Sequence, residues 1–220
     1  MFAINYHKIE NHDERYPDLF RLRYRVYCDE RGFEDPLDYP DMKERDEFDD
    51  HSVHFCNSFE GSDEPIGTVR MILHSGKGFP IEKNFIIDKR FLPTFDRTKI
   101  AEISRLAISK VLRRKAEKRV FHSDKVVSIA RGNTLSVKDR RQKEKNHVLG
   151  LYDCIYKESL QRGLTHWYAG MTEGLCSLLS SMGCVWHPIG PRINYHGFRR
   201  PYIAVIGENA EAARRNLRLF

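Results

Sequence analysis

At 220 residues the chain can bury a substantial core and is short enough for one domain, expected over 1–220. Its 40% hydrophobic and 31% charged content fits a globular protein, and no stretch approaches the length of a membrane span. The net charge of +6 is unevenly spread: Asp29–Asp50 carries 11 acidic against 3 basic residues, and Lys110–Lys145 carries 13 basic against 4 acidic. Such segregation bears on partners more than on fold, and the basic segment should attract an anionic one.

In chain order, the opening MFAINYHKIENHDERYP holds no apolar core of a signal peptide. YPDLFRLRYRVYCDERG spaces Leu19, Phe20, Tyr24 and Tyr27 near helical period, with Gly32 as a stop. Residues 33–50 are acidic, contain Pro36 and Pro40, and read as loop. SVHFCNSF and IGTVRMILH, joined by the turn EGSDEP, read as an antiparallel hairpin. SGKGFPIEKNF reads as loop, and KIAEISRLAIS as a third strand. The basic region is expected to be part helix and part loop, with VKDRRQKEKN a loop that orders on binding.

HVLGLYDCIYKESLQRG has the apolar period of an amphipathic helix ending at Gly163. LTHWYAGM reads as a strand, and TEGLCSLLSSMG as a short helix with Thr172 as N-cap and Gly183 as stop. CVWHPIG and RPYIAVIG read as two further strands, and the tail as a helix. The sum is an α/β (α+β) domain, a mixed sheet with helices packed on it.

Several signals are weak. His51 and His54 have a helical metal-binding spacing, but in a strand they point to opposite faces, so no metal site is expected. The five cysteines are odd in number and include no C-x-x-C pair, which fits reduced thiols in a cytoplasm. There is no Walker A run, no G-x-S-x-G, and no helix-turn-helix, zinc-finger or aromatic RNA-binding motif. A basic nucleic-acid-binding module is therefore disfavoured, though the basic segment keeps it open as an alternative.

One ordered constellation carries more: an arginine-rich helix with Arg23, the carboxylates Glu44, Asp46 and Asp49 in E-x-D-x-x-D, Arg70 in the hairpin, and Glu102, Ser104 and Arg105 in EISR. This order resembles the acyl-homoserine-lactone (autoinducer) synthases, whose signature also has an aromatic pair at the positions of Tyr27 and Phe33. The run HPIGPRINYHGFRRPYIAV is instead similar to acyltransferases associated with PEP-CTERM exosortase systems, related to the N-acyl amino acid synthases.

The resemblance implies a fold like that of the GCN5-related N-acetyltransferases (GNAT) and transfer of a fatty-acyl group from an acyl-carrier-protein thioester to an amine. It makes Glu102 the candidate base, with Ser104 and Arg105 beside it, and strand amides near 106–108 the oxyanion donors. Arg23, Tyr27, Phe33, Glu44, Asp46, Asp49 and Arg70 become a charge network or acceptor pocket, with Tyr195 and His196 as further positioning groups. Arg113, Arg114 and Lys115 stand where this fold places its donor phosphate. RRKAEKR lacks the usual glycines, which favours a carrier-bound thioester over free acyl-CoA. The implied partners are an acyl carrier protein and a small amine. No tightly bound cofactor is implied beyond the acyl-phosphopantetheine donor, and S-adenosylmethionine is not assumed. A catalytically inactive acyl-carrier-binding protein is the other alternative.

Overall fold

The computed structural model describes residues 3–91, 96–114 and 137–209. Its strands are β1 (Ile4–Ile9), β2 (Ser52–Phe59), β3 (Gly67–Leu73), β4 (Ile100–Ile108), β5 (His166–Met171), β6 (His187–Pro188), β7 (Ile193–Asn194) and β8 (Phe198–Val205). Its helices are α1 (Tyr16–Tyr24), α2 (Pro80–Asn84), α3 (Val137–Gln161) and α4 (Glu173–Ser180). The strands form a mixed sheet in the order β1-β2-β3-β4-β5-β8-β6, with β7 paired to β8. Neighbours run antiparallel except β4 and β5, which are parallel.

Period-two alternation divides the core. Ala101 and Ile103 of β4 join Val69, Met71 and Trp167 beneath Val148, Leu151, Tyr152 and Ile155 of α3. Ile100 of β4 faces the other way, with Ile72, Tyr168 and Ile203, against Phe79 and Ile81 at the start of α2. Glu102 shares that second face and accepts a hydrogen bond from the Ile81 amide at 2.9 Å.

Two irregularities in β4 set the shape of the sheet's centre. Its parallel pairing with β5 covers only Ile100–Glu102 opposite His166–Tyr168. Beyond that the strands diverge, leaving 103–108 without a partner on the β5 side among the described residues. On the β3 side, Thr68 opposes Ala107 but Arg70 opposes Ser104, so β4 carries one extra residue there. Arg105 absorbs the bulge at φ 53°, a left-handed conformation rare outside glycine.

The hairpin, the third strand and the Thr172-capped helix form where the sequence places them; the Thr172 hydroxyl accepts from the Leu175 amide at 3.2 Å. Four expectations are corrected. β1 was not anticipated, because NYHKI offers little apolar alternation. Residues 137–146 are the first turns of α3 rather than a loop. PIEKN, within the expected 75–85 loop, forms α2 with Pro80 at its first turn, where the missing N–H costs nothing. CVWHPIG contributes only His187–Pro188 to the sheet. The expected tail helix beyond 209 lies outside the described residues.

Candidate active site

The loop before β2 is folded against α1 by local bonds. The Glu44 amide donates to the Phe20 carbonyl at 3.1 Å. Asp46 accepts from the Phe48 amide at 2.9 Å, and Asp49 from the Asp46 amide at 2.7 Å. These turns aim three carboxylates inward, where three arginines from separate elements meet them. Arg23 of α1 reaches Glu44 at 2.5 Å and Asp49 at 2.7 Å. Arg70 of β3 reaches Asp46 at 2.6 Å and Asp49 at 2.8 Å, and its Nε donates to the Ser104 hydroxyl at 3.1 Å. Arg105, turned by the β4 bulge, donates to Glu44 at 2.9 Å and to Asp46 at 3.2 Å.

Arg23, Glu44, Arg70 and Asp49 are buried, so this balanced set of three positive and three negative charges is held largely out of water. Burial works against ionisation of Glu44, Asp46 and Asp49, but the arginines outweigh it and hold all three below the usual carboxylate range. His54 lies behind the network, with Nε2 3.4 Å from the Asp49 carbonyl. Burial pulls its pKa down to about 4, so it is neutral and contributes no charge at pH 7.

Glu102 differs from its neighbours. It is buried with no ion-pair partner among the described residues, and burial pushes its pKa up to about 7, partly offset by the Ile81 amide and by Arg70 and Arg105. It lines a small pocket of about 60 Å³ with Glu34, Arg70, Phe85, Ser104, Tyr195 and others. The gap between β4 and β5 opens a larger cavity of about 620 Å³. Lys110, Arg113, Tyr152, Met171, Leu175 and Leu178 are among the residues that line it. Tyr27, Ser104, Arg105, Gly170 and Arg199 line both spaces, so the two adjoin at the β4 bulge.

The aromatic candidates frame this junction. The Tyr27 hydroxyl donates to the Leu106 carbonyl at 3.2 Å, and the Arg105 guanidinium lies 5.8 Å from the Tyr27 ring. The Phe33 carbonyl lies 2.9 Å from Nδ1 of His196, and Tyr195 packs edge-on against Phe85. His196 also comes within 3.6 Å of Glu34. Arg113 is buried at the cavity and Arg114 is exposed, while Lys115 lies outside the described residues.

Sequence reasoning did not single out Glu34, Phe85 or Arg199. Glu34 lay among loop acids that composition cannot tell apart. Arg199 stands beside Arg200, and only the strand register of β8 shows which of the two lines the junction.

Residues 22–122 match the family model of the acetyltransferase (GNAT) domain. No curated protein sequence matches the chain. Among solved structures, the AHL synthase LasI is similar at 16% identity and TM-score 0.59, covering 93% of this chain and 89% of that one. FeeM, an N-acyl amino acid synthase from uncultured soil microbes, is similar at 11% identity and TM-score 0.59, covering 96% and 94%. BjaI, a CoA-dependent acyl-homoserine lactone synthase solved with SAM and isopentyl-CoA, is similar at 16% identity and TM-score 0.60, covering 98% and 89%. The chain therefore carries the GNAT fold, which it shares with these synthases.

Proposed function

We propose that this protein is an N-acyltransferase that moves a fatty-acyl group from an acyl-carrier-protein thioester to a small amine. The observation that carries the reading is the junction of two spaces at one bulged strand: a cavity of about 620 Å³ on one side and a small pocket holding a buried carboxyl on the other. The cavity suits a phosphopantetheine arm and its acyl chain, and the pocket suits the acceptor. The exposed basic residues beside the cavity, Lys110 and Arg114, suit an acidic carrier.

The amine enters as an ammonium ion. Glu102 takes one proton, and the freed lone pair attacks the thioester carbonyl. The carbon–nitrogen bond forms as the carbonyl electrons move to oxygen, where β4 amides near 106–108, on the edge with no β5 partner among the described residues, stabilise the charge. Collapse breaks the carbon–sulfur bond, and the second amine proton leaves with the thiolate as free thiol. The products are an amide and the carrier thiol. Ser104 is bound to Arg70, so in this scheme it holds the acceptor side of β4 in place, and Arg105 ties that side to the network.

The acyl-carrier donor of this reading makes a cytoplasmic reaction part of the proposal. No described helix is long and apolar enough to cross a membrane. The link to an exosortase system rests on the run at 187–205 alone. The test is thiol release by the purified protein from a panel of acyl-carrier and acyl-CoA thioesters with mixed amines. Glu102→Gln should lower the rate at least 100-fold while donor binding survives. Equal donor binding with no turnover by the wild type would identify an inactive carrier-binding protein instead.

A further inference from the structure

Beyond Glu102, β4 has no β5 partner among the described residues, and Leu106 and Ile108 line the large cavity there. A strand edge left open in this way has backbone groups that need other partners, and its sheet neighbour fixes its path from one side only. A second support comes from the end of α1, which widens into a π-helical segment, Arg25–Glu30, a form frequent at functional sites. Tyr27 and Glu30 of this segment reach β4 on either side of Ile108. The Tyr27 hydroxyl donates to the Leu106 carbonyl at 3.2 Å. The Glu30 carboxylate accepts from the Lys110 amide at 3.0 Å and from the Ser109 hydroxyl, which itself accepts from the Leu112 amide at 3.1 Å. Val26 of the same segment joins Ala107 and Leu112 in one apolar cluster. From the β3 side, the Ile66 carbonyl accepts from the Ser109 amide at 2.9 Å, so the end of β4 is held from both sides.

These contacts bracket the amides at 106–108 that the acyl-transfer scheme gives to the oxyanion. Such donors act at about 2.7–3.1 Å from the oxygen they stabilise, so a small shift in the path of the strand weakens them. Tyr27 lines both spaces, but its hydroxyl proton is committed to Leu106 and is not offered to a ligand. We propose that Tyr27 and Glu30 are positioning residues: the segment Arg25–Glu30 takes the place of the missing β5 neighbour and fixes the 106–108 amides against the donor carbonyl. The effect on turnover rests on the acyl-transfer reading, and the hold on β4 does not.

The experiment therefore has two arms. The first follows amide hydrogen exchange in the full chain without donor. Tyr27→Phe and Glu30→Ala should speed exchange in 103–110 about five- to ten-fold, the loss of one or two hydrogen bonds, and leave β1 and β2 at the wild-type rate. The second arm measures thiol release and the infrared carbonyl stretch of octanoyl-phosphopantetheine labelled at its carbonyl. Both variants should lower kcat about ten-fold, less than the roughly 10²–10³-fold loss on removing an oxyanion donor outright, with donor and acceptor KM within about three-fold. Glu30→Gln keeps an accepting oxygen and should recover part of the rate. The stretch should fall on binding to the wild type and return towards its free value in Tyr27→Phe. Unchanged exchange would overturn the proposal. So would faster exchange with kcat and carbonyl frequency unaltered, which would leave both residues as structural ties. A Tyr27→Phe effect confined to the alkaline limb of the kcat profile would also overturn it, making Tyr27 a proton donor. If exchange responds but the wild type releases no thiol and leaves the carbonyl unshifted, the acyl-transfer reading fails and only the hold on β4 stands. Tyr27→Phe keeps the ring and decides the matter even if the Glu30 variants fold poorly.

Discussion

Arg105 reaches Glu44 only because β4 bulges at that residue: its left-handed backbone, φ 53°, carries Nε to 2.9 Å from the fully buried Glu44 carboxylate. The strain at Arg105 is held by the ion pairs it makes possible. Glu44→Gln removes the buried carboxylate that Arg23 and Arg105 share, leaving Arg23 with Asp49 alone and Arg105 with Asp46 alone, and should cost about 3–5 kcal/mol. In a chain of this size that corresponds to a fall in Tm of roughly 10 °C. The check is a reversible thermal or urea melt, and a loss below about 1 kcal/mol would show that the network relaxes around a neutral amide.

The core of that network was legible as a list of residues but not as a geometry. The alternation of SVHFCNSF, bounded by turn residues, gives β2 because one face must be buried. Nothing in EISR signals that Arg105 adopts positive φ, since arginine has no preference for it; the bulge is a property of β4 against β3. β1 was missed because Ile4 and Ile9 are its main apolar residues and its pairing with β2 comes from the partner strand's edge. The early turns of α3 were missed because their charged residues show no apolar period. Glu34 and Arg199 gain meaning only from the approach of the 33–34 segment to the β7–β8 turn, a contact across some 160 positions that no local pattern encodes.

Glu102 and His54 should give opposite pH slopes to stability. Glu102 has a folded pKa of about 7 against an ordinary 4.5. Its contribution is fully present below 4.5 and is lost as pH rises through 7. His54 has a folded pKa of about 4 against 6.5, so its contribution is present above 6.5 and is lost as pH falls towards 4. Glu102→Gln should therefore gain relative to wild type at pH 8 over pH 5, and His54→Gln should gain at pH 4.5 over pH 7.5. Urea unfolding across this range tests both, and curves parallel to wild type would refute the assigned shifts. In activity, kcat/KM should rise about ten-fold per pH unit below pH 7 and level off above it.

Gly150 marks a close approach of α3 to Tyr6 of β1. A Cβ there would lie 2.0 Å from Cζ of Tyr6, whose hydroxyl donates to the Asn146 carbonyl at 3.0 Å. Gly150→Ala should destabilise the protein by about 1–3 kcal/mol, because overpacking outweighs the gain in helix propensity. With Tyr6→Ala in place the clash is gone, and the same substitution should stabilise by up to about 1 kcal/mol. A double-mutant cycle by urea unfolding reads the change of sign. If Gly150→Ala has the same effect in both backgrounds, the Tyr6 ring swings aside and the contact does not fix β1 on the helix.

Tyr152 should set the acyl length that the cavity accepts. It projects from α3 into the lining of the β4–β5 cavity, is buried, and packs at 6.5 Å against Trp167, which anchors it from behind. A chain lying along Val148, Met171 and Leu175 meets this ring. Tyr152→Leu retains an apolar wall while removing the outer part of the ring, with a stability cost well short of the roughly 3–5 kcal/mol of an aromatic-to-alanine change. The freed space should admit a few more methylene groups. At about 0.8 kcal/mol per buried CH₂, each one gained should favour the longer donor three- to four-fold. Competition between carrier thioesters of different chain length, read by mass spectrometry of the amide products, measures the shift. An unchanged length profile with an altered rate would mean that the acyl chain leaves the cavity before it reaches α3.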